Sequence, residues 1–156
     1  MDIKAKLVEL GHALPPVASP VAVYVPFVES GGHLYLSGQL PLKDGSLVAT
    51  GPVAGEGGPT LELAQAAAAQ CVLNGLAQID AAIDGDWERV ERVVRLGVFV
   101  AGGPGFTDHH LVANGASELL GQVLGERGVH ARAAVGVPSL PLGASVELDM
   151  IVAVKG

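Results

Sequence analysis

Two charged side chains lie in strand-forming runs, Arg132 in an otherwise apolar one and Glu147 with Asp149 two residues on. Arg132 lies near the start of the run Ala131–Val137, and Glu147 near the start of the last one, Ser145–Val154. An arginine in that position is either a strand-end cation reaching water or a planar fork that grips a carboxylate with two parallel hydrogen bonds. A glutamate there is either an outward-facing strand residue or a partly buried group that moves protons. Spacing alone leaves both readings open for each residue.

The other reactive side chains point to less chemistry. The five histidines are His12, His33, His109, His110 and His130. No pair has the i, i+4 spacing of a helical zinc motif, and His109 and His110, adjacent at a helix start, point apart. They read as solvated or capping residues. Ser37 is not set in a G-x-S-x-G elbow, which argues against a hydrolase nucleophile. Gly102-Gly103-Pro104-Gly105 lies between a strand and a helix, where a phosphate loop would lie. It fits no phosphate-loop pattern, and no lysine follows it, so it reads as a glycine turn. Cys71 sits among alanines in a helix and reads as a small core residue. As the only cysteine, it excludes an internal disulfide framework and a cysteine zinc site.

These residues need a scaffold, and hydrophobic periodicity supplies one. Asp2–Leu10 has Ile3, Leu7 and Leu10 on one helical face with Gly11 as a stop. Residues 12–20 carry Pro15, Pro16 and Pro20 and form an extended lead-in. Strands are expected at Val21–Val28, where Pro26 signals an edge or bulge, and at His33–Ser37 after a Ser30-Gly31-Gly32 turn. Leu40–Leu42 and a short strand at Leu47–Ala49 flank a Lys43-Asp44-Gly45 turn. A long helix is expected over Thr60–Ile83, with Thr60 as its cap and Ala64, Ala68, Cys71, Gly75, Ile79 and Ile83 on one small-residue face. One more turn at Trp87–Glu91, a strand at Val93–Val100, a helix at Thr107–Leu124 and strands at Ala131–Val137 and Ser145–Val154 complete the chain. The order is that of an α+β fold with both long helices on one face of a sheet. In the last strand Val146, Leu148, Met150, Val152 and Val154 point one way, and Glu147, Asp149 and Ile151 the other.

Composition bounds the partners. The 156 residues suit one domain, an N-terminal helix and extended lead-in over residues 1–20 and a core over 21–156, and 49% of them are hydrophobic. Charged residues are only 16% of the chain, against roughly 25% in an average domain, so apolar surface is expected to be buried between subunits. A net charge of −7 argues against nucleic acid and against an anionic membrane surface as partners. The first residues lack an apolar signal core, and the helix around Leu63–Ile79 is interrupted by Gln65, Gln70, Asn74 and Gln78. A soluble cytoplasmic protein is the expectation.

Several short motifs, taken together and in order, resemble the RidA (YjgF) family of enamine/imine deaminases, also described as L-PSP endoribonuclease-like. They are Ser37-Gly38-Gln39 after a strand, Asn114 on the later helix, Ala131-Arg132-x-Ala-Val, Leu140-Pro141 and Val146-Glu147-Leu-Asp. The resemblance runs from about Tyr24 to the C-terminus. It is nearest to a less characterised side branch with an additional N-terminal helix and a His-Ala-Arg form of the arginine motif.

The resemblance implies a fold like bacterial chorismate mutase, a mixed sheet with two helices packed on one face, and a homotrimer. In that trimer the sheets form a central barrel and the clefts lie between subunits. It implies no metal and no organic cofactor. The substrate implied is a small carboxylate-bearing imine or enamine, deaminated as by 2-iminobutanoate/2-iminopropanoate deaminases. Arg132 is implied to hold the carboxylate and Glu147 to assist the attacking water. Tyr24 is implied to line the cleft from the neighbouring subunit, Ser37 and Gly38 to form its wall, and Asn114 to lie near it. Ala134, where many members have cysteine, would contact the ligand through its backbone. His130 replaces a proline common in the family and stands beside the cleft, either as a structural substitute or as a ligand contact. One additional residue separates Asn114 from Arg132. The competing readings are a ligand-binding trimer without turnover and, less favoured by the charge, a ribonuclease.

Overall fold

The structure is a computed structural model that describes residues 2–17 and 23–156. Its first helix, α1 (Ile3–Glu9), starts where Asp2 accepts the Ala5 N–H at 2.9 Å. Ile3 and Leu7 are fully buried, and α1 packs on the later helix of the core. Lys4 pairs with Asp80 at 3.2 Å, and the other carboxylate oxygen of Asp80 accepts the Trp87 indole N–H at 2.7 Å.

Five strands form one sheet: β1 (Phe27–Ser30), β2 (His33–Gln39), β5 (Val90–Ala101), β6 (Ala131–Val137) and β7 (Val146–Val154), in the order β1-β2-β7-β5-β6. β1 and β2 join through Gly31-Gly32, both at positive φ, as a tight two-residue hairpin requires. β5 and β6 run parallel, and α3 (His109–Leu124) is the crossover that a parallel pair needs. A small separate hairpin, β3 (Leu42–Lys43) and β4 (Ser46–Leu47), turns on Asp44-Gly45, again with φ positive at both residues.

The long helix α2 (Leu61–Ala82) is capped by Thr60, whose hydroxyl accepts the Leu63 N–H at 3.2 Å. Its small face is buried as the periodicity predicts. Burial extends to Ala67, Val72, Leu73 and Leu76, because α2 meets the sheet on one side and α3 on the other. Gly115 of α3 lies against the backbone of Gln65, so the helices touch main chain to main chain. Each large apolar side chain enclosed in this layer, Leu76, Ile79 and Leu120 among them, stabilises the fold by about 1.5–3 kcal/mol.

Strand parity in β7 is as the alternation predicts. Val146, Leu148, Met150, Val152 and Val154 are buried beneath the helices, while Glu147, Asp149 and Ile151 face the other way, half-buried. Among the described residues that second face carries no helix, and Tyr35 and Val135 are exposed on their strands.

Several boundaries differ from those expected. The expected strand Val21–Val28 begins only at Phe27. Residues 21 and 22 of it lie outside the described residues, and Val23, Tyr24 and Val25 are exposed and unpaired in the sheet. Pro26 has no N–H to give to a ladder, though its carbonyl accepts the Ser37 N–H at 2.9 Å. β5 starts at Val90 rather than Val93, because two register shifts within it break the alternation. α3 starts two residues later than Thr107, after a turn in which Phe106 N–H bonds the Gly103 carbonyl at 3.0 Å. The short strand expected at Leu47–Ala49 lies at Ser46–Leu47 as β4, and its partner β3 takes in Lys43, which was expected in the turn.

Candidate active site

Arg132 lies on the edge strand β6, paired with Leu96, which in turn pairs with Met150. Both of those are buried under the helices, so Arg132 belongs to the helix-covered face. Its exposed side chain lies against α3. Nη1 donates to Asn114 Oδ1 and to Ser117 Oγ, each at 3.0 Å, and Nη2 donates to the His110 carbonyl at 3.3 Å. Three of the five guanidinium N–H groups are thereby engaged among the described residues. Nε–H and one Nη2–H have no partner among the described residues. The Arg132 contact also sets the Asn114 amide, since its oxygen must face the donor.

Ser117 stands one helical turn beyond Asn114 on the same face of α3. Its hydroxyl meets His130 Nε2 at 3.0 Å, and His130 Nδ1 lies 2.6 Å from the Gly128 carbonyl. Ser117, Gly121, Gly128, Val129, His130 and Arg132 line a shallow depression of about 280 Å³. The sequence reading missed Ser117. Its i, i+3 spacing from Asn114 was the available signal.

Ala134, two residues along β6 from Arg132, shares its face and is half-buried against the core beside Val98. Gly136 follows, where a side chain would strike the ring of His109. His109 also stacks edge-on against Phe106 with ring centroids 5.1 Å apart. It therefore packs under the strand, while the adjacent His110 contributes only its carbonyl to Arg132.

The remaining residues gather on the other face. Glu147 pairs in register with Phe99, away from the helices. Its carboxylate occupies the space that a Gly38 side chain would fill. A register shift in β2 between Leu36 and Gln39 brings Gly38 there. Ser37 donates from its hydroxyl to the Val25 carbonyl at 2.6 Å, which ties the segment carrying Tyr24 to β2. Tyr24 itself is exposed. Burial, and then the nearby carboxylate of Asp149, raise the Glu147 pKa above the ordinary carboxylate range. Asp149 is held by Arg95 at 3.6 Å on the same face.

The chain thus brings together Arg132, Asn114, Ser117 and His130 as one group, and Ser37, Gly38 and Glu147 as another. It does not join the two. Arg132 and Glu147 lie on opposite faces with β5 between their strands. Strand spacing and rise put their Cα atoms roughly 14 Å apart.

The other sequence candidates have structural roles. In the glycine turn, Gly103 donates to the Val53 carbonyl at 2.8 Å, and its missing side chain lets the Gly55 backbone close against it. Cys71 is buried, its thiol 3.9 Å from the Val146 carbonyl. Burial, and secondarily the charge of Glu147, push its pKa well above the usual thiol value. Among the described residues no three His, Cys, Asp or Glu side chains cluster as a metal site. No helix there is long and apolar enough to cross a membrane.

Comparison with known proteins identifies the family of the chain. The family model described as "YjgF/chorismate mutase-like, putative endoribonuclease" matches residues 4–153. The crystal structure of protein Atu1372 from Agrobacterium tumefaciens is 50% identical, with a TM-score of 0.91 over 98% of this chain and 92% of that one. Protein TCP17 of Trypanosoma cruzi is 48% identical over 151 residues, 96% of this chain and 92% of its own length. RidA from the Antarctic bacterium Psychrobacter sp. PAMC 21119 is 26% identical, with a TM-score of 0.56 over 88% of this chain and 94% of that one. With most of its length matched by the family model, the chain belongs to the YjgF/chorismate-mutase-like family that includes RidA.

Proposed function

We propose that the protein hydrolyses reactive 2-imino acids, and the enamines that tautomerise to them, to 2-keto acids and ammonia. One observation carries the reading: Arg132 is held on α3 by three contacts that leave a two-donor edge for a carboxylate. An arginine merely reaching water would not be tied in this way.

The chemistry needs little beyond positioning. Water adds to the imine carbon, and the resulting carbinolamine expels ammonia as the carbonyl forms. Atoms balance with one water consumed. Arg132 fixes the carboxylate and hence the reacting carbon. Glu147, with its pKa raised by burial, takes a proton from the incoming water and returns it to the leaving nitrogen. General acid–base help of this kind is worth about 10²–10⁴-fold.

The two groups of residues meet in this reading only when copies of the chain associate. A homotrimer places Arg132, Asn114 and Ala134 of one copy opposite Tyr24, Ser37, Gly38 and Glu147 of the next. Three features support it: the roughly 14 Å separation within one chain, the sheet face that carries no helix among the described residues, and the exposed Val23, Tyr24 and Val25 beside β1.

Ribonuclease action, which the family description mentions, is less favoured. The chain carries a net charge of −7. Arg89, Arg95 and Arg127 each face a carboxylate within 4 Å, at 3.4, 3.6 and 3.4 Å. Such pairing leaves little free positive charge for a phosphate backbone.

The test is to generate 2-imino acids in situ with an amino-acid oxidase and trap the survivors with semicarbazide. Faster loss of trappable imine with the protein present is expected. Saturable 2-keto acid binding with no rate effect would instead assign the site to a binding protein.

A further inference from the structure

The contacts behind Arg132 continue past Ser117 to His130, and both ends of that chain fix its direction. The Gly128 carbonyl can only accept, so His130 Nδ1, 2.6 Å away, carries a proton. In the neutral ring Nε2 is then an acceptor. At the other end the guanidinium can only donate, so Ser117 Oγ accepts from Arg132 Nη1. The single hydroxyl proton of Ser117 is left to point at His130 Nε2, 3.0 Å away. Every donor in the chain has one acceptor, and no member can be reversed alone.

We propose that Ser117 and His130 are positioning residues for Arg132. The chain Arg132 to Ser117 to His130 to the Gly128 carbonyl holds the guanidinium so that its Nε–H and remaining Nη2–H meet the substrate carboxylate. The inference rests on the carboxylate-binding reading of Arg132 above. His130 acts through Ser117 and does not itself touch the substrate. This gives the histidine of the His-Ala-Arg motif a role that a proline in its place could not fill, since proline offers no side-chain acceptor. The geometry is economical: His130 and Arg132 are two residues apart, on the start of β6 and the turn before it, and Ser117 reaches both from α3.

Two measurements test it, one of them independent of any ligand. Nitrogen-15 NMR of the full protein is expected to show the neutral His130 ring as the Nδ1–H tautomer. Solvent exchange of the Arg132 Nη1 protons, which the chain engages, is expected to speed up severalfold in Ser117→Ala and in His130→Ala. His130→Gln places an amide oxygen near the position of Nε2 and is expected to keep the wild-type exchange rate. Unchanged exchange in His130→Ala, or an Nε2–H ring in the wild type, would overturn the proposal whatever the substrate is.

The second measurement is calorimetric binding of 2-oxobutanoate. Ser117→Ala and His130→Ala are each expected to weaken it about threefold to tenfold. The double variant is expected to be no weaker than Ser117→Ala alone. Losses that multiply in the double variant would mean that His130 meets the ligand itself, and would overturn its role through Ser117. If Arg132→Ala binds 2-oxobutanoate as tightly as the wild type, the carboxylate reading fails, and the exchange rates still decide whether the chain exists.

Discussion

The carboxylate of Glu147 rests in the space where a side chain at Gly38 would stand. The same relation recurs two residues on: a side chain at Gly97 of β5 would meet the carboxylate of Asp149 and the guanidinium of Arg95. Two glycines, one in each strand flanking β7, therefore make room for its two acidic side chains on the face that carries no helix among the described residues. Glycine weakens a strand, and here the missing side chains leave the carboxylates half-buried instead of lifted into water.

Gly38→Ala is expected to displace the Glu147 side chain with little loss of stability, because the atom that must move is the far end of a flexible side chain. Misplacing the proton-transfer group should lower kcat about 10- to 100-fold and leave KM nearly unchanged. Steady-state kinetics beside a thermal melt checks this. A variant with wild-type kcat would detach Gly38 from the function of Glu147.

Glu147→Gln separates function from stability. Its kcat is expected to fall about 10²–10⁴-fold. Stability should move the other way at neutral pH. Burial and Asp149 raise the folded-state pKa of Glu147, so the wild type loses stability as pH rises from the unfolded carboxyl value, about 4.3, through the folded one. Glutamine does not ionise. The variant should therefore melt higher than wild type at pH 7, with the difference shrinking below about pH 4. In the wild type, activity should rise with pH along a limb displaced above the ordinary carboxylate range.

Arg132→Ala is expected to keep the fold, since the side chain is exposed, and to lose about 10²–10³-fold in kcat/KM. Arg132→Lys should recover only a small part. One ammonium cannot bond Asn114, Ser117 and the His110 carbonyl while also presenting two parallel donors to a carboxylate. Kinetics with the three proteins at matched melting temperature checks both expectations.

Cys71 is expected to resist alkylation in the native protein, with burial raising its pKa. Iodoacetamide labelling followed by mass spectrometry should show modification only when denaturant unfolds the chain. Rapid native labelling would mean that the layer between α2 and β7 opens.

Much of the fold was legible in the sequence because its signals are local. Thr60 caps a helix whose small face recurs at helical spacing, and β7 alternates almost without interruption. Asp44-Gly45 and Gly31-Gly32 announced their turns. The misses have physical causes. Register shifts in β5 hide its period, and Pro26 delays β1. At the site, Arg132 was visible as the one charge in an apolar run and Glu147 as one of two acids in the last strand, but their placement on opposite faces depends on strand order, which no local pattern carries. Ser117 was overlooked because serine on a helix face is ordinary. Only the fold of α3 onto β6 brings it between Arg132 and His130.

That placement on opposite faces leads to the most direct measurement. Differently tagged Arg132→Ala and Glu147→Gln chains, each nearly inactive alone, would be co-expressed, and the doubly tagged oligomers purified and assayed for imine hydrolysis. Some interfaces in such oligomers pair an intact Arg132 with an intact Glu147 from a neighbouring copy, so turnover well above either parent is expected. Turnover no higher than the average of the two parents would contradict a site shared between copies.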